Sequence, residues 1–177
     1  MNIFLFGAQG SGKSTVGKYI AEKLSVPFIA TGDIFRRLEQ EDSELGREVK
    51  SLIDQGNLVP DDITMEIVNS RLGQKDTQNG FILDGAPRNL NQEKLIEKKP
   101  NLLILVNLQE KETLKRLRER ARHDDTDEAI RRRLAWYKEM TAPVLDFYKR
   151  EGVKLVEIDN TPPESQVQKV LDGLFED

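Results

Sequence analysis

The stretch Gly7-Ala8-Gln9-Gly10-Ser11-Gly12-Lys13-Ser14 constrains this chain more tightly than any other. It fits the pattern G-x-x-x-x-G-K-[ST], and it follows a short apolar run, Ile3–Phe6, that reads as a buried strand. A helical pattern begins directly after it. Glycines let the backbone curl so that successive N–H groups face inward, and the helix that follows adds the positive end of its dipole. Such a loop holds phosphate. Lys13 is placed to reach the β- and γ-phosphates of a nucleotide, and the Ser14 hydroxyl is placed for Mg²⁺. The bland alternative is a Gly/Ser-rich turn with a surface lysine. From average residue frequencies the pattern arises by chance in roughly one chain in a hundred of this length, and its position between strand and helix makes chance a poorer account still. The loop does not name a reaction, because switches, ATPases and kinases share it.

Further apolar runs at Pro27–Ala30, Gly80–Leu83, Leu102–Asn107 and Val153–Ile158 read as buried strands separated by helical patterns. That alternation predicts an α/β fold, a five-stranded parallel sheet covered on both faces. One region departs from it. Between Thr31 and Gly73 the patterns are helical only. Leu45, Val49, Leu52 and Ile53 share a helical face, Asp42 or Ser43 caps its start and Gly56 stops it. A second helix follows Pro60-Asp61-Asp62 and ends near Gly73. Spacing alone fits an inserted subdomain and a long crossover packed on the sheet equally well. In the last third, Leu114 and Leu117 mark a helix from about Glu110 to Ala121, and Asp125 with Glu128 forms a capping box for the next. Ile130, Leu134 and Tyr137 give that helix its apolar stripe, and Pro143 starts another.

Composition limits the partners. A length of 177 residues suits one domain, and the net charge of −4 is the wrong sign for a nucleic-acid footprint. If the substrate is anionic, its cationic partners must be concentrated locally. Without cysteine there is no disulfide and no thiolate zinc site. No run approaches the 18 apolar residues of a membrane span, and the N-terminus lacks the pattern of a signal peptide. The expectation is a cytoplasmic monomer that engages neither membrane nor nucleic acid.

Phe81-Ile82-Leu83-Asp84 reads as a strand ending in a carboxylate, placed to hold Mg²⁺ through water, or else merely to start a turn. Arg88 follows after Gly85-Ala86-Pro87. An arginine there makes sense if an anion binds close by, since otherwise it only neutralises the carboxylate. Arginine is always charged and forked for bidentate contact with phosphate. Arg116 and Arg120 lie one turn apart on one helical face, Arg122 sits in the break, and Arg133 stands about two turns into the next helix. Arg118, Arg131 and Arg132 are better read as a solvated, salt-bridged face. His123, the single histidine, has no partner that suggests acid–base chemistry.

Taken together, GAQGSGKST at 7–15, TGDIFR at 31–36, LDGAPR at 83–88, DD at 124–125 and NTPP at 160–163 resemble adenylate kinase from end to end. The resemblance implies a P-loop NTPase-type three-layer fold with a small helical NMP-binding insertion over residues 30–60 and a lid at 120–125. It implies transfer of a phosphoryl group from ATP to AMP with Mg²⁺ and no zinc. Gly10, Ser11, Gly12, Lys13, Ser14 and Thr15 correspond to the ATP phosphate loop, and Arg116 and Pro162 to the ATP adenine site. Ser14 and Asp84 correspond to the metal side. Thr31, Arg36, Gly56, Leu58, Val59, Gly85, Arg88, Gln92, Arg122 and Arg133 correspond to the AMP site, with Gln92 reading adenine through its amide. Lys13, Arg88, Arg120, Arg122 and Arg133 correspond to the catalytic cations.

The sequence departs from that family where a lid belongs. Only Ala121-Arg122-His123 separate Arg120 from Asp124, too few for the usual loop or small domain. The expectation is that the arginine-bearing helices themselves hinge over ATP, with poorer exclusion of water. Gln9 and Ser14 replace a proline and a glycine common in the family, and Ala86 replaces an aromatic residue. Asn89 resembles the uridylate/cytidylate kinases, whereas Thr31 and Gln92 favour AMP. A nucleotide-binding regulator without kinase activity would explain Gly7–Ser14 but neither Arg36 nor Arg88.

Overall fold

A computed structural model describes residues 1–54, 59–120 and 127–176. Its centre is a parallel sheet of five strands: β1 (Asn2–Phe6), β2 (Phe28–Ala30), β3 (Phe81–Asp84), β4 (Leu102–Asn107) and β5 (Lys154–Asp159). Each lies within a residue of the apolar run that predicts it. The spatial order is β2-β3-β1-β4-β5. Phe4 pairs with Leu83 on one side and Leu103 on the other.

Helices cover both faces: α1 (Lys13–Leu24), α2 (Thr31–Leu38), α3 (Glu44–Asp54), α4 (Asp61–Leu72), α5 (Leu90–Leu95), α6 (Glu110–Arg120), α7 (Asp127–Trp136), α8 (Ala142–Arg150) and α9 (Glu164–Phe175). The strand pleat sorts side chains by parity. Ile3, Leu5, Ile82 and Ile104 face Val16 and Ile20 of α1 and Val167 and Leu171 of α9. Phe4, Phe6, Phe81 and Leu103 face Met65, Val68 and Leu72 of α4 and Val144 and Tyr148 of α8. Because both faces are buried, the strands are apolar almost throughout and show no alternation with polar residues.

The helical region after β2 divides by packing. α4 lies against the sheet through Met65, Val68 and Leu72. α3 packs on α2, and Val49 is its fully buried residue. Ser43, one of two candidate caps, is the one used: its Oγ accepts the Gly46 N–H at 2.9 Å. Asp42 is engaged in an ion pair with Arg47.

Pro143 stands in the first turn of a helix, α8, as the sequence predicts, but that helix is not set apart by a loop. The chain instead runs on from α7 into α8 through a π-helical turn, Tyr137–Thr141, with Pro143 in the first turn of α8. Proline has no N–H for the carbonyl one turn back, and a widened turn accommodates the missing bond without breaking the rod.

Candidate active site

The carboxyl ends of β1, β2, β3 and β5 all open on one edge of the sheet. The chain reverses its direction of strand addition between β1 and β3, which leaves a crevice there. The loop after β1 fills it. Gly7 and Gly12 have φ of 141° and 91°, and a Cβ at Gly7 would lie 2.4 Å from the Val106 carbonyl oxygen. No larger residue fits there. The first turn of α1 carries no capping side chain and no acidic residue, so nothing negative opposes an anion at its positive dipole end. Lys13 Nζ donates to the carbonyls of Gly7 at 2.8 Å and Ala8 at 2.9 Å, which holds the ammonium over the loop.

Asp84 stands at the end of β3 with 7% of its surface exposed. The Ser14 hydroxyl donates to its Oδ2 at 2.9 Å. The Thr31 hydroxyl donates to its main-chain carbonyl at 3.1 Å. One residue is therefore shared by the phosphate loop and by the start of α2. The Ser14–Asp84 pair offers hard oxygen donors, the chemistry that suits Mg²⁺. Among the described residues no three His, Cys, Asp or Glu side chains gather.

Beside Asp84 lie Thr31, Gly85 and Arg88. A Cβ at Gly85 would come within 3.5 Å of Arg88 Nη2 and within 3.4 Å of Thr31 Cβ, so the three residues surround one small space. Arg88 Nε donates to the Gly85 carbonyl at 2.8 Å, and the Arg88 carbonyl accepts from the Thr141 hydroxyl at 2.9 Å. Arg36 is paired with Asp33 one turn earlier, and both side chains are nearly half exposed.

Behind Arg88 is a knot of amides. Gln92 Nε2 donates to Asp61 Oδ1 at 2.7 Å, and Gln92 Oε1 accepts the Arg88 backbone N–H at 2.8 Å. Asn89 and Asn91 donate to the same carboxylate. Partial burial pushes the Asp61 carboxyl up, but the Asn91, Asn89 and Gln92 donors outweigh it and hold the group below its ordinary value of 3.8.

On the opposite flank, Asn160 Nδ2 donates to the Ser11 carbonyl at 2.7 Å, and Arg116 Nη2 donates to the Asn160 carbonyl at 3.3 Å. A Cβ at Gly12 would strike Asn160 Nδ2 at 2.1 Å and lie 3.7 Å from Arg116 Nη1. The segment after β5, which carries the half-buried Pro162, thus anchors both the loop and the arginine beside it.

Comparisons with known proteins agree on one family. The family model described as Adenylate kinase matches residues 5–153. Adenylate kinase from Thermobifida fusca is 40% identical, and the match covers 98% of each chain. Adenylate kinase from Cyanothece is 40% identical over 97% of this chain and 95% of its own, and that from Mycobacterium ulcerans is 42% identical over 91% and 92%. The chain belongs to the adenylate kinase family.

Of the residues that correspond to the adenylate kinase site, Lys13, Ser14 and Thr15 open α1, Thr31 and Arg36 lie in α2, Asp84 ends β3 with Gly85 and Arg88 in the turn after it, Gln92 lies in α5 and Arg116 in α6. Val59 is described just before α4. Gly56, Leu58 and Arg122 lie outside the described residues, as do the proposed lid, His123 and the Asp124–Asp125 pair. Arg120 ends α6 and Arg133 lies in α7, but their side chains lie outside the described set. Arg132 pairs with Glu128 at 2.7 Å on an exposed face, as its spacing suggests. Asn89, which resembles the pyrimidine kinases, has a structural role, since its Oδ1 caps α5 by accepting the Gln92 N–H at 2.8 Å. Sequence reasoning missed Asp61 and Asn160 as parts of the site. Asn160 lies within the NTPP motif and Asp61 follows a proline at a helix start, but their partners are distant in sequence.

Proposed function

We propose that this chain transfers the terminal phosphoryl group of Mg²⁺-bound ATP to AMP, forming two molecules of ADP. The observation that carries this reading is the double use of Asp84, whose carboxylate meets Ser14 of the phosphate loop and whose carbonyl meets Thr31. Two anion sites then flank one buried acid, close enough for two phosphate tails to meet in line.

The loop N–H groups and Lys13 hold the β- and γ-phosphates of ATP. Lys13 exchanges two neutral carbonyls for phosphate oxygens, a stronger charge-assisted bond. Ser14 and Asp84 would hold Mg²⁺, which would neutralise charge on the phosphate oxygens. Arg36 and Arg88 grip the AMP phosphate; Arg36 gives up only an exposed ion pair of small worth. A phosphate oxygen of AMP attacks the γ-phosphorus as the bridging oxygen to the β-phosphate leaves. Arg120, Arg122 and Arg133 add positive charge where it spreads over the transferring oxygens. Residues 30–60 form the subdomain around the AMP base, with Thr31, Gly56, Leu58, Val59, Gly85 and Gln92 at its lining, and Arg116 and Pro162 take the ATP adenine. We read the protein as a cytoplasmic monomer; among the described residues no helix is long and apolar enough to cross a membrane.

The test is acceptor competition with AMP, CMP and UMP at fixed MgATP, where AMP should dominate. Two adenosines joined by five phosphates should bind at least about 100-fold more tightly than ATP, since one ligand then fills both sites. One nucleotide per chain and no gain from the bridged compound would support the regulator reading instead.

A further inference from the structure

Gln92 is held by two groups that each tolerate only one orientation of its amide. A carboxylate has no hydrogen to donate and a backbone N–H has no lone pair to accept with. The Gln92 nitrogen must therefore face Asp61 and its oxygen must face Arg88, at 2.7 Å and 2.8 Å. Turning the amide over would set oxygen against carboxylate and NH₂ against N–H, in a side chain that is only 5% exposed. A purely structural tie between α4 and α5 does not need this arrangement. Asn89 and Asn91 already supply that tie through their own bonds to Asp61.

An amide offers two N–H donors and two carbonyl lone pairs. With one of each consumed by the protein, Gln92 keeps one N–H and one lone pair, in a fixed order. A 6-aminopurine presents an acceptor at N1 beside a donor at its amino group. A 6-oxopurine presents the reverse, a donor at N1 beside an acceptor oxygen. An amide fixed one way round matches one of these edges and opposes the other.

We propose that Asp61 is a positioning residue that sets which purine monophosphate the acceptor site takes, by locking the Gln92 amide in the orientation that fits a 6-amino edge and opposes a 6-oxo edge. The proposal rests on the AMP reading above and adds to it the residue that enforces the choice. Asp61 does not touch the nucleotide; it acts through Gln92. Asp61→Asn keeps the size of the side chain but can present either an oxygen or an NH₂ to Gln92, so only the Arg88 N–H still orients the amide and the lock is weakened.

The test compares steady-state phosphorylation of AMP and of inosine monophosphate, a 6-oxopurine, in the wild type, Asp61→Asn and Asp61→Glu. The wild type should prefer AMP by about 100-fold or more in kcat/KM, the scale of a well-placed bidentate pair to a base edge. Asp61→Asn should cut that preference at least about tenfold, because about 1.4 kcal/mol of discrimination is removed. The change should appear as a higher KM for AMP and a lower KM for inosine monophosphate, with the KM for ATP unmoved. Asp61→Glu, which keeps the carboxylate, should retain more of the preference than Asp61→Asn. Equal losses toward both acceptors would overturn the proposal and leave Asp61 a structural tie. Should the variants fold poorly, side-chain amide NMR of the wild type decides: AMP should move one Gln92 Nε2 proton and leave the Asp61-bonded one in place, and movement of both overturns the proposal. A wild type that phosphorylates neither acceptor sinks the kinase reading itself, whereas AMP activity with an unchanged preference in Asp61→Asn sinks this proposal alone.

Discussion

At Asp84 the carboxylate serves Ser14 and the main-chain carbonyl serves Thr31, so small displacements of this residue reach both sides of the site. Lys13 belongs to the phosphate loop and Arg88 to the turn after β3. In Lys13→Ala the loop keeps its glycine geometry but loses its mobile positive charge. Turnover should fall by roughly 10³-fold, as for loss of a preorganised charge at a transferring group, while the thermal midpoint stays nearly fixed; near-normal turnover in a coupled assay would refute the role of Lys13. On the proposed reading, Arg88→Ala removes a guanidinium from the acceptor side only. The KM for AMP should rise by about 10- to 100-fold, with ATP affinity by calorimetry little changed, and equal losses for both nucleotides would contradict the assignment. These candidates were legible in the sequence because each side chain belongs to a short contiguous motif. Gln92 is harder to read, since its orientation depends on Asp61, 31 positions away.

At the scale of elements, α3 shows how a small polar residue decides where a helix begins. Two capping candidates stood side by side, and the hydrogen bond from Gly46 selects Ser43. Ser43→Ala should cost about 1 kcal/mol of stability, read as a shifted midpoint in urea with an unchanged slope. Asp42→Ala should cost less, because it breaks only an exposed ion pair. The run from α7 to α8 was not legible in the same way. Pro143 signals a helix start, but whether the preceding helix stops or widens depends on what holds Tyr137–Thr141 in place. Thr141 is tied to the Arg88 carbonyl, a contact between elements that periodicity does not carry.

For the molecule as a whole, carboxylates link distant parts of the chain. Asp61 joins α4 to α5, and Asp172 joins α9 to α1 by accepting from Lys23 and Tyr19. The Lys23 ammonium and then the Tyr19 hydroxyl hold the Asp172 carboxyl below its ordinary value of 3.8, and Asp61 is likewise held low. A carboxyl depressed in the folded state contributes stability that is present above its unfolded value and is lost as pH falls through its folded value. The thermal midpoint should therefore hold steady above about pH 5 and fall as the pH drops below 4. Asp61→Asn should lower the midpoint at neutral pH and flatten that acid slope; an unchanged slope would mean the group is not depressed.

The sequence by itself determined the strands, the phosphate loop and the order of the phosphate-binding motifs, because these rest on apolar runs, glycines and local spacing. It did not decide whether the helices between β2 and β3 lie on the sheet or away from it, which of two caps is used, or which way round the Gln92 amide sits. The cap was settled locally, by Gly46 three residues on; the others were settled by the tertiary structure, because each depends on a partner far along the chain: Met65 in one cluster with Phe4, Asp61 beneath Gln92. Local physics writes the elements, and contacts between distant residues fix how their polar groups are aimed.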